Sequence, residues 1–146
     1  MTRGRGVMLA TLMVALVAAA TAAAAGTSQR LSGHIQGDPD SIARLSVATD
    51  SDGAPKVVKR FRFKKVNATC DGVAQRISIK LSGRVPLNDD RTFKRSFGDS
   101  ATGFAKVEGR VRRDGARVAG VLRAPAIAIV GLGVCKVAPS GFVVSG

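Results

Sequence analysis

From Gly26 onward, apolar and polar residues alternate with period two, and clusters of Gly, Pro, Asp and Asn interrupt the alternation at short intervals. A two-residue period places apolar side chains on one face of a pleated strand and polar ones on the other. Leu31, Gly33 and Ile35 share one parity, with Ser32, His34 and Gln36 on the other; after Gly37-Asp38-Pro39-Asp40, a second run sets Ala43, Leu45 and Val47 opposite Arg44 and Ser46. Asp50 to Pro55 has the composition of a turn or loop. The long run from Lys56 to Cys70 carries Phe61 and Phe63 on one side and Arg60, Arg62 and Lys64 on the other, and Ile77, Ile79 and Leu81 then alternate with Arg76, Ser78 and Lys80. A polar loop, Pro86 to Arg91, leads to a shorter run with Phe93 and Phe97.

One hairpin can be read down to its register. If Asp114-Gly115 is a two-residue turn, Arg113 faces Ala116, Arg112 faces Arg117, Val111 faces Val118, Gly109 faces Gly120, Val107 faces Leu122 and Lys106 faces Arg123. The apolar pairs then fall on one side of the ribbon and the charged pairs on the other, an agreement that the turn alone does not impose. After Pro125, the nearly apolar run Ala126 to Val137 predicts one central strand or two short ones, and Phe142 to Val144 closes the chain. About eight or nine strands at this spacing predict an all-β antiparallel sandwich or small barrel. Val66 and Cys70 fall on the charged parity of their strand. A bulge near Asn67-Ala68, or the end of the strand there, would restore the pattern.

The segment before this domain reads differently. Arg3 and Arg5 precede an uncharged stretch that reaches Arg30, with an apolar centre from Val7 to Val17 and Ala23-Ala24-Ala25 just before Gly26. This is the pattern of a secretory signal peptide over residues 1–25, leaving a single β domain over 26–146. The competing reading is an uncleaved anchor, since Val7 to Ala25 is 19 residues long. Its many Ala and Thr residues make a weak anchor, so no transmembrane span is expected after cleavage. The expected location is outside the cytoplasm, secreted or associated with the cell envelope. In that compartment Cys70 and Cys135 can oxidise, and with two cysteines only one pairing is open; two buried free thiols are the alternative.

The stretch from Phe61 to Gly72, FRFKKVNATCDG, followed by the ribbon from Gly109 to Arg123 and a lone second cysteine, resembles small exported β-proteins of actinobacteria over about two thirds of the part after the leader. The resemblance implies a signal peptide, a β-sandwich and one disulfide, and carries no activity. Abundant Ala, Arg, Gly and Val suit a GC-rich bacterial genome.

Charge changes the picture. The 146 residues hold 23 Lys and Arg against 10 Asp and Glu, a formal net charge of +13; loss of Arg3 and Arg5 with the leader would leave +11. Groups for catalysis are scarce by comparison. His34, the one histidine, sits on the polar side of its strand, where an exposed, non-catalytic role is expected. Asp89-Asp90 is placed as a pair of turn residues. Two distant cysteines and one histidine lack the ligand spacing of a zinc site, and the Asp50-Ser51-Asp52-Gly53 loop supplies too few oxygens for calcium by itself. Gly131-Leu132-Gly133 lies in an apolar run, where its glycines mark a bulge or close backbone approach. The sequon Asn67-Ala68-Thr69 is formally present. No enzyme activity, cofactor or metal is therefore expected.

The expected function is a monomeric or weakly associating binding or structural module whose cations meet polyanions: teichoic acids, acidic polysaccharide, anionic lipid headgroups or extracellular nucleic acid. The candidate residues are Arg60, Arg62, Lys64, Lys106, Arg110, Arg112, Arg117 and Arg123, with Arg60, Arg62 and Lys64 in a row spaced by about 6.6 Å. Simple solubility is the competing account of the same charge. Trp and Tyr are absent, so specific recognition of nucleic-acid bases by stacking is not expected. The alternative is a protein-binding module, inhibitor- or adhesin-like, that uses a strand edge or loops.

Overall fold

The computed structural model describes residues 26–146. The leader read over residues 1–25 lies outside the described residues. Eight strands follow in chain order: β1 (Ser28–Ile35), β2 (Asp38–Thr49), β3 (Pro55–Cys70), β4 (Val73–Pro86), β5 (Thr92–Asp99), β6 (Gly103–Val111), β7 (Arg117–Ile129) and β8 (Gly133–Ser145). All are antiparallel to their neighbours, and no helix occurs among the described residues. The predicted all-β class therefore holds, and the choice between sandwich and barrel falls to a small barrel with extra strands.

The strand order is β4-β3-β2-β1-β8-β7-β6-β5. Two meanders, one from each half of the chain, thus meet at the β1–β8 pair. The far end of β3 reaches past the tip of the β1–β2 hairpin and pairs with the start of β8, Thr69 opposite Lys136 and Cys70 opposite Cys135. The pairings among β1, β2, β3 and β8 close a ring, and the Cys70–Cys135 disulfide lies on its seam. The two edge strands, β4 and β5, are consecutive in sequence, joined by residues 87–91. A connection this short spans less than about 20 Å, so the sheet must curl until its edges approach. There Arg95 on β5 lies over the Phe97 ring and donates from Nη1 to the Arg84 carbonyl of β4 at 2.7 Å.

The predicted inner residues fill the interior. Phe61 packs against Phe93 and Phe97, with ring centroids 6.0 and 5.7 Å away, and Phe63 against Phe142 at 5.3 Å. Val107, Val111, Val118 and Leu122 are fully buried, as are Leu31, Leu45 and Val47 nearby. The register of the β6–β7 ribbon matches its prediction at Val111–Val118, Gly109–Gly120, Val107–Leu122 and Lys106–Arg123.

Local geometry corrects several details. The ribbon turn is not a two-residue turn at Asp114-Gly115: Gly115 N–H bonds the Arg112 carbonyl, so Arg113 and Asp114 are its central residues, and Gly115 follows at φ 73°. Lengthening the loop symmetrically leaves the register beyond it unchanged. The two-residue Asp-Gly turn lies instead between β3 and β4, where Asp71 (φ 47°) and Gly72 (φ 80°) both adopt the left-handed conformation that a tight hairpin requires. The β3 bulge also moves: Asn67 and Ala68 pair regularly with Arg76 and Gln75, and the register shifts earlier, between Phe63 and Val66, with Lys65 at φ 55°. That shift turns Val66 and Cys70 inward. Gly131 lies in the β7–β8 hairpin turn, closed by Leu132 N–H to the Ile129 carbonyl, and Gly133 begins β8 opposite Ile129, so the apolar run divides into two strands there. Asp38 already belongs to β2, leaving only Gln36-Gly37 as the first turn.

Candidate functional site

Antiparallel register partners share a face, so a chain of pairings traces a row of side chains across the sheet. One row on the outer face runs through Arg117 (β7), Ser145 (β8), Ser32 (β1), Arg44 (β2), Arg62 (β3) and Lys80 (β4). The backbone bond from Arg112 N–H to the Arg117 carbonyl adds Arg112 at one end. All seven residues are exposed, and none is acidic. The row joins two groups of cations that lie half the chain apart in sequence.

Beside it runs a shorter row, Arg30, Ser46, Lys59 and Arg84, across β1 to β4. Between Arg44 and Ser46 the β2–β3 register shifts, with Arg60 and Phe61 of β3 standing against Leu45 alone, and Arg60 sits in this bulge at φ 58°. The bulge lets Val58 and Phe61 both face the core while Arg60 joins the outer face. The outer surface of β1 to β4 is a concave trough of about 730 Å³, lined by Arg30, Arg44, Arg60, Arg62 and Lys80 with the hydroxyls of Ser32, Ser46 and Ser82. Among the described residues, none of these five cations has a carboxylate within ion-pair distance. The three ion pairs among the described residues lie elsewhere, at Lys56–Asp50, Arg76–Asp38 and Arg112–Asp114. Like charges directly opposed, as at Arg44–Arg62 and Arg62–Lys80, cost stability in the absence of a counter-charge.

The predicted basic residues are distributed as follows. Arg60 and Arg62 line the trough. Lys64 is exposed opposite Ile42, one outward position beyond it. Arg60, Arg62 and Lys64 are all exposed and alternate with the buried Phe61 and Phe63. Lys106 and Arg123 face each other half-buried on the ribbon, where burial first, and then the charges of Arg123 and Lys94, push the Lys106 ammonium below its ordinary pKa. Arg110 is exposed between Thr92 and Ala119. Arg112 is not an uncompensated cation: Asp114 accepts from its Nε at 2.9 Å and Nη2 at 2.7 Å. That contact holds the Asp114 carboxyl down to about 2, with the Ala116 amide as a further donor. Sequence reading missed Arg30, Arg44, Lys80 and Arg84 as members of the site. Their outward parity was readable, but not the pairing that gathers them.

The groups weighed for other chemistry have structural partners. His34 is exposed, and its Nδ1 donates to the Ser41 carbonyl at 2.6 Å. The Asp50 carboxylate caps its own turn, accepting from the Asp52 and Ala54 amides; the Ala54 bond chiefly lowers its pKa. Asp90 accepts from the Thr92 hydroxyl and amide, which lower its pKa in that order. Among the described residues, no three His, Cys, Asp or Glu side chains gather as a metal site. No helix among them is long and apolar enough to cross a membrane. Comparison of the chain with protein-family models, curated proteins and solved structures finds no match.

Proposed function

We propose that the chain is an exported, non-catalytic module that binds polyanions through the outer face of β1 to β4. The observation that carries this reading is the trough, where Arg30, Arg44, Arg60, Arg62 and Lys80 converge with no carboxylate in ion-pair distance among the described residues. A solvated surface that served only solubility would intersperse acids among these cations, whereas an anion-binding face keeps them open at a cost to its own stability. Guanidinium groups suit this task because their planar donor forks match the oxygens of phosphate or carboxylate. The disulfide supports an oxidising location outside the cytoplasm.

The test is retention on heparin and on immobilised polyphosphate across a salt gradient. Retention should fall steeply with salt. Arg44→Glu with Arg62→Glu should abolish it, while Lys136→Glu, exposed at the disulfide end away from the trough, should change it little. Salt-independent retention, or full retention by the double variant, would remove the trough as the binding face.

A second reading rests on the exposed side chains Val73, Val130 and Val134 around the disulfide end, where the Asp71 N–H also bonds the Val134 carbonyl. An apolar end of this kind suits protein association that is insensitive to salt.

A further inference from the structure

The seven-residue row extends beyond the trough, and its layout indicates the shape of the ligand. Arg44, Arg62 and Lys80 occupy adjacent strands, and two serines, Ser32 and Ser145, then separate Arg44 from Arg117. With strands about 4.8 Å apart, the five steps from Arg117 to Lys80 cover about 24 Å along the sheet. A small anion could occupy the trough alone and would leave Arg117 without a role. A chain lying across the strands would meet cations at both ends, with a low path between them where the side chains are short and end in hydroxyl donors.

Three features narrow the chemistry. The row holds no aromatic residue, and Phe61, Phe63, Phe93, Phe97 and Phe142 are all buried, so neither a base nor a sugar ring has a stacking platform there. Recognition therefore falls on charges carried by the chain itself. The trough cations are mostly arginines, suited to the oxygens of successive phosphates. The trough is concave, which a flexible thread can enter and a flat bilayer surface cannot follow.

We infer, resting on the polyanion reading above, that the ligand is a linear phosphate polymer laid across the strands along the row from Lys80 to Arg117. Lys80, Arg62 and Arg44 grip one part of it, Ser32 and Ser145 pass it over the β1–β8 junction, and Arg117 holds the other.

The test titrates the protein with linear polyphosphate of increasing length, beginning at tripolyphosphate, over a range of salt. Affinity should rise until the polymer spans the row and then level off. With long polymer, Arg62→Gln and Arg117→Gln should each weaken binding and lower the salt slope by about 0.7. Lys136→Gln, exposed at the disulfide end, should change neither. With tripolyphosphate, only Arg62→Gln should matter. If Arg117→Gln leaves long-polymer binding intact while Arg62→Gln weakens it, the ligand stops in the trough: the row inference falls and the polyanion reading stands. An equal effect of Lys136→Gln would show a diffuse field and overturn the row. Tighter binding of anionic phosphatidylglycerol vesicles or of heparin than of long polyphosphate would overturn the phosphate thread. No binding of any of these probes would remove both the inference and the reading beneath it.

Discussion

Arg44 on β2 stands directly opposite Arg62 on β3, and Arg62 in turn stands opposite Lys80 on β4, so one guanidinium has a like charge on either side. Each opposed pair of like charges destabilises a sheet by roughly 0.2–1 kcal/mol. Arg62→Gln should therefore raise stability at low ionic strength, by about that amount, in urea unfolding. The gain should shrink in about 1 M salt, where the Debye length falls to about 3 Å. A variant that is more stable and binds polyanions less well is the signature of a residue kept for its charge. Lower stability of Arg62→Gln at low salt would show that Arg62 is held by contacts other than those described.

The Cys70–Cys135 bond joins the two meanders at the one place where β3 pairs with β8, and both cysteines are buried. It closes a loop of 65 residues, worth on the order of 4 kcal/mol on the chain-entropy account. Replacing both cysteines by alanine should lower the urea midpoint by an amount corresponding to about 2–4 kcal/mol. Because the β3–β8 pairs are few, hydrogen exchange at Thr69 and Lys136 should accelerate more than in the β6–β7 ribbon. Equal acceleration in both places would mean that the seam does not open as a separate unit.

What could be read from the sequence follows the range of the interaction that decides it. The β6–β7 register depends on a nearby turn, and even with the turn expected at Asp114-Gly115 and found at Arg113-Asp114, Val107 stands opposite Leu122. Phe61 and Phe63 were legible as core because a two-residue period needs only its neighbours. The bulges at Arg60 and Lys65 were not, since left-handed backbone at a long basic side chain has no residue signature of the kind glycine supplies. Nor was the row from Arg117 to Lys80, because it depends on β1 pairing with β8, a contact between the two ends of the domain that no local pattern encodes.

Gly109 and Gly120 face each other in the ribbon, and aromatic rings lie over both positions. A Cβ on Gly120 would come within 2.7 Å of Phe142 Cζ and 2.5 Å of the Glu108 carbonyl oxygen; one on Gly109 would come within 3.0 Å of Phe93 Cζ. The carbonyl belongs to the neighbouring strand and cannot move without disturbing the pairing. Gly120→Ala should therefore destabilise by about 1–3 kcal/mol through overpacking. The urea midpoint should fall with little change in slope. An unaltered midpoint would mean that Phe142 and the ribbon can shift together at little cost.

Asp114 links the ribbon turn to solution pH. In the folded chain the Arg112 guanidinium, and then the Ala116 amide, hold its carboxyl at about 2, against an ordinary value of 3.8. A depressed folded pKa means that the unfolded chain takes up the proton first as pH falls. The stabilisation is therefore complete above about pH 4 and is lost between there and about 2. Solvent exposure keeps this contribution small. Asp50, Asp90 and Asp99 add to the same acid limb, since backbone amides or threonine hydroxyls in their own turns lower each carboxyl. Subtracting the melting curves of Asp114→Asn from those of the parent between pH 2 and 6 isolates the Asp114 share. The difference should be flat above pH 4 and vanish toward pH 2. The Asp114 carboxyl carbon, followed by NMR, should titrate near 2. Titration near 3.8 would show that Arg112 is not held against Asp114 in solution, and Arg112 would then rejoin the row as an open cation.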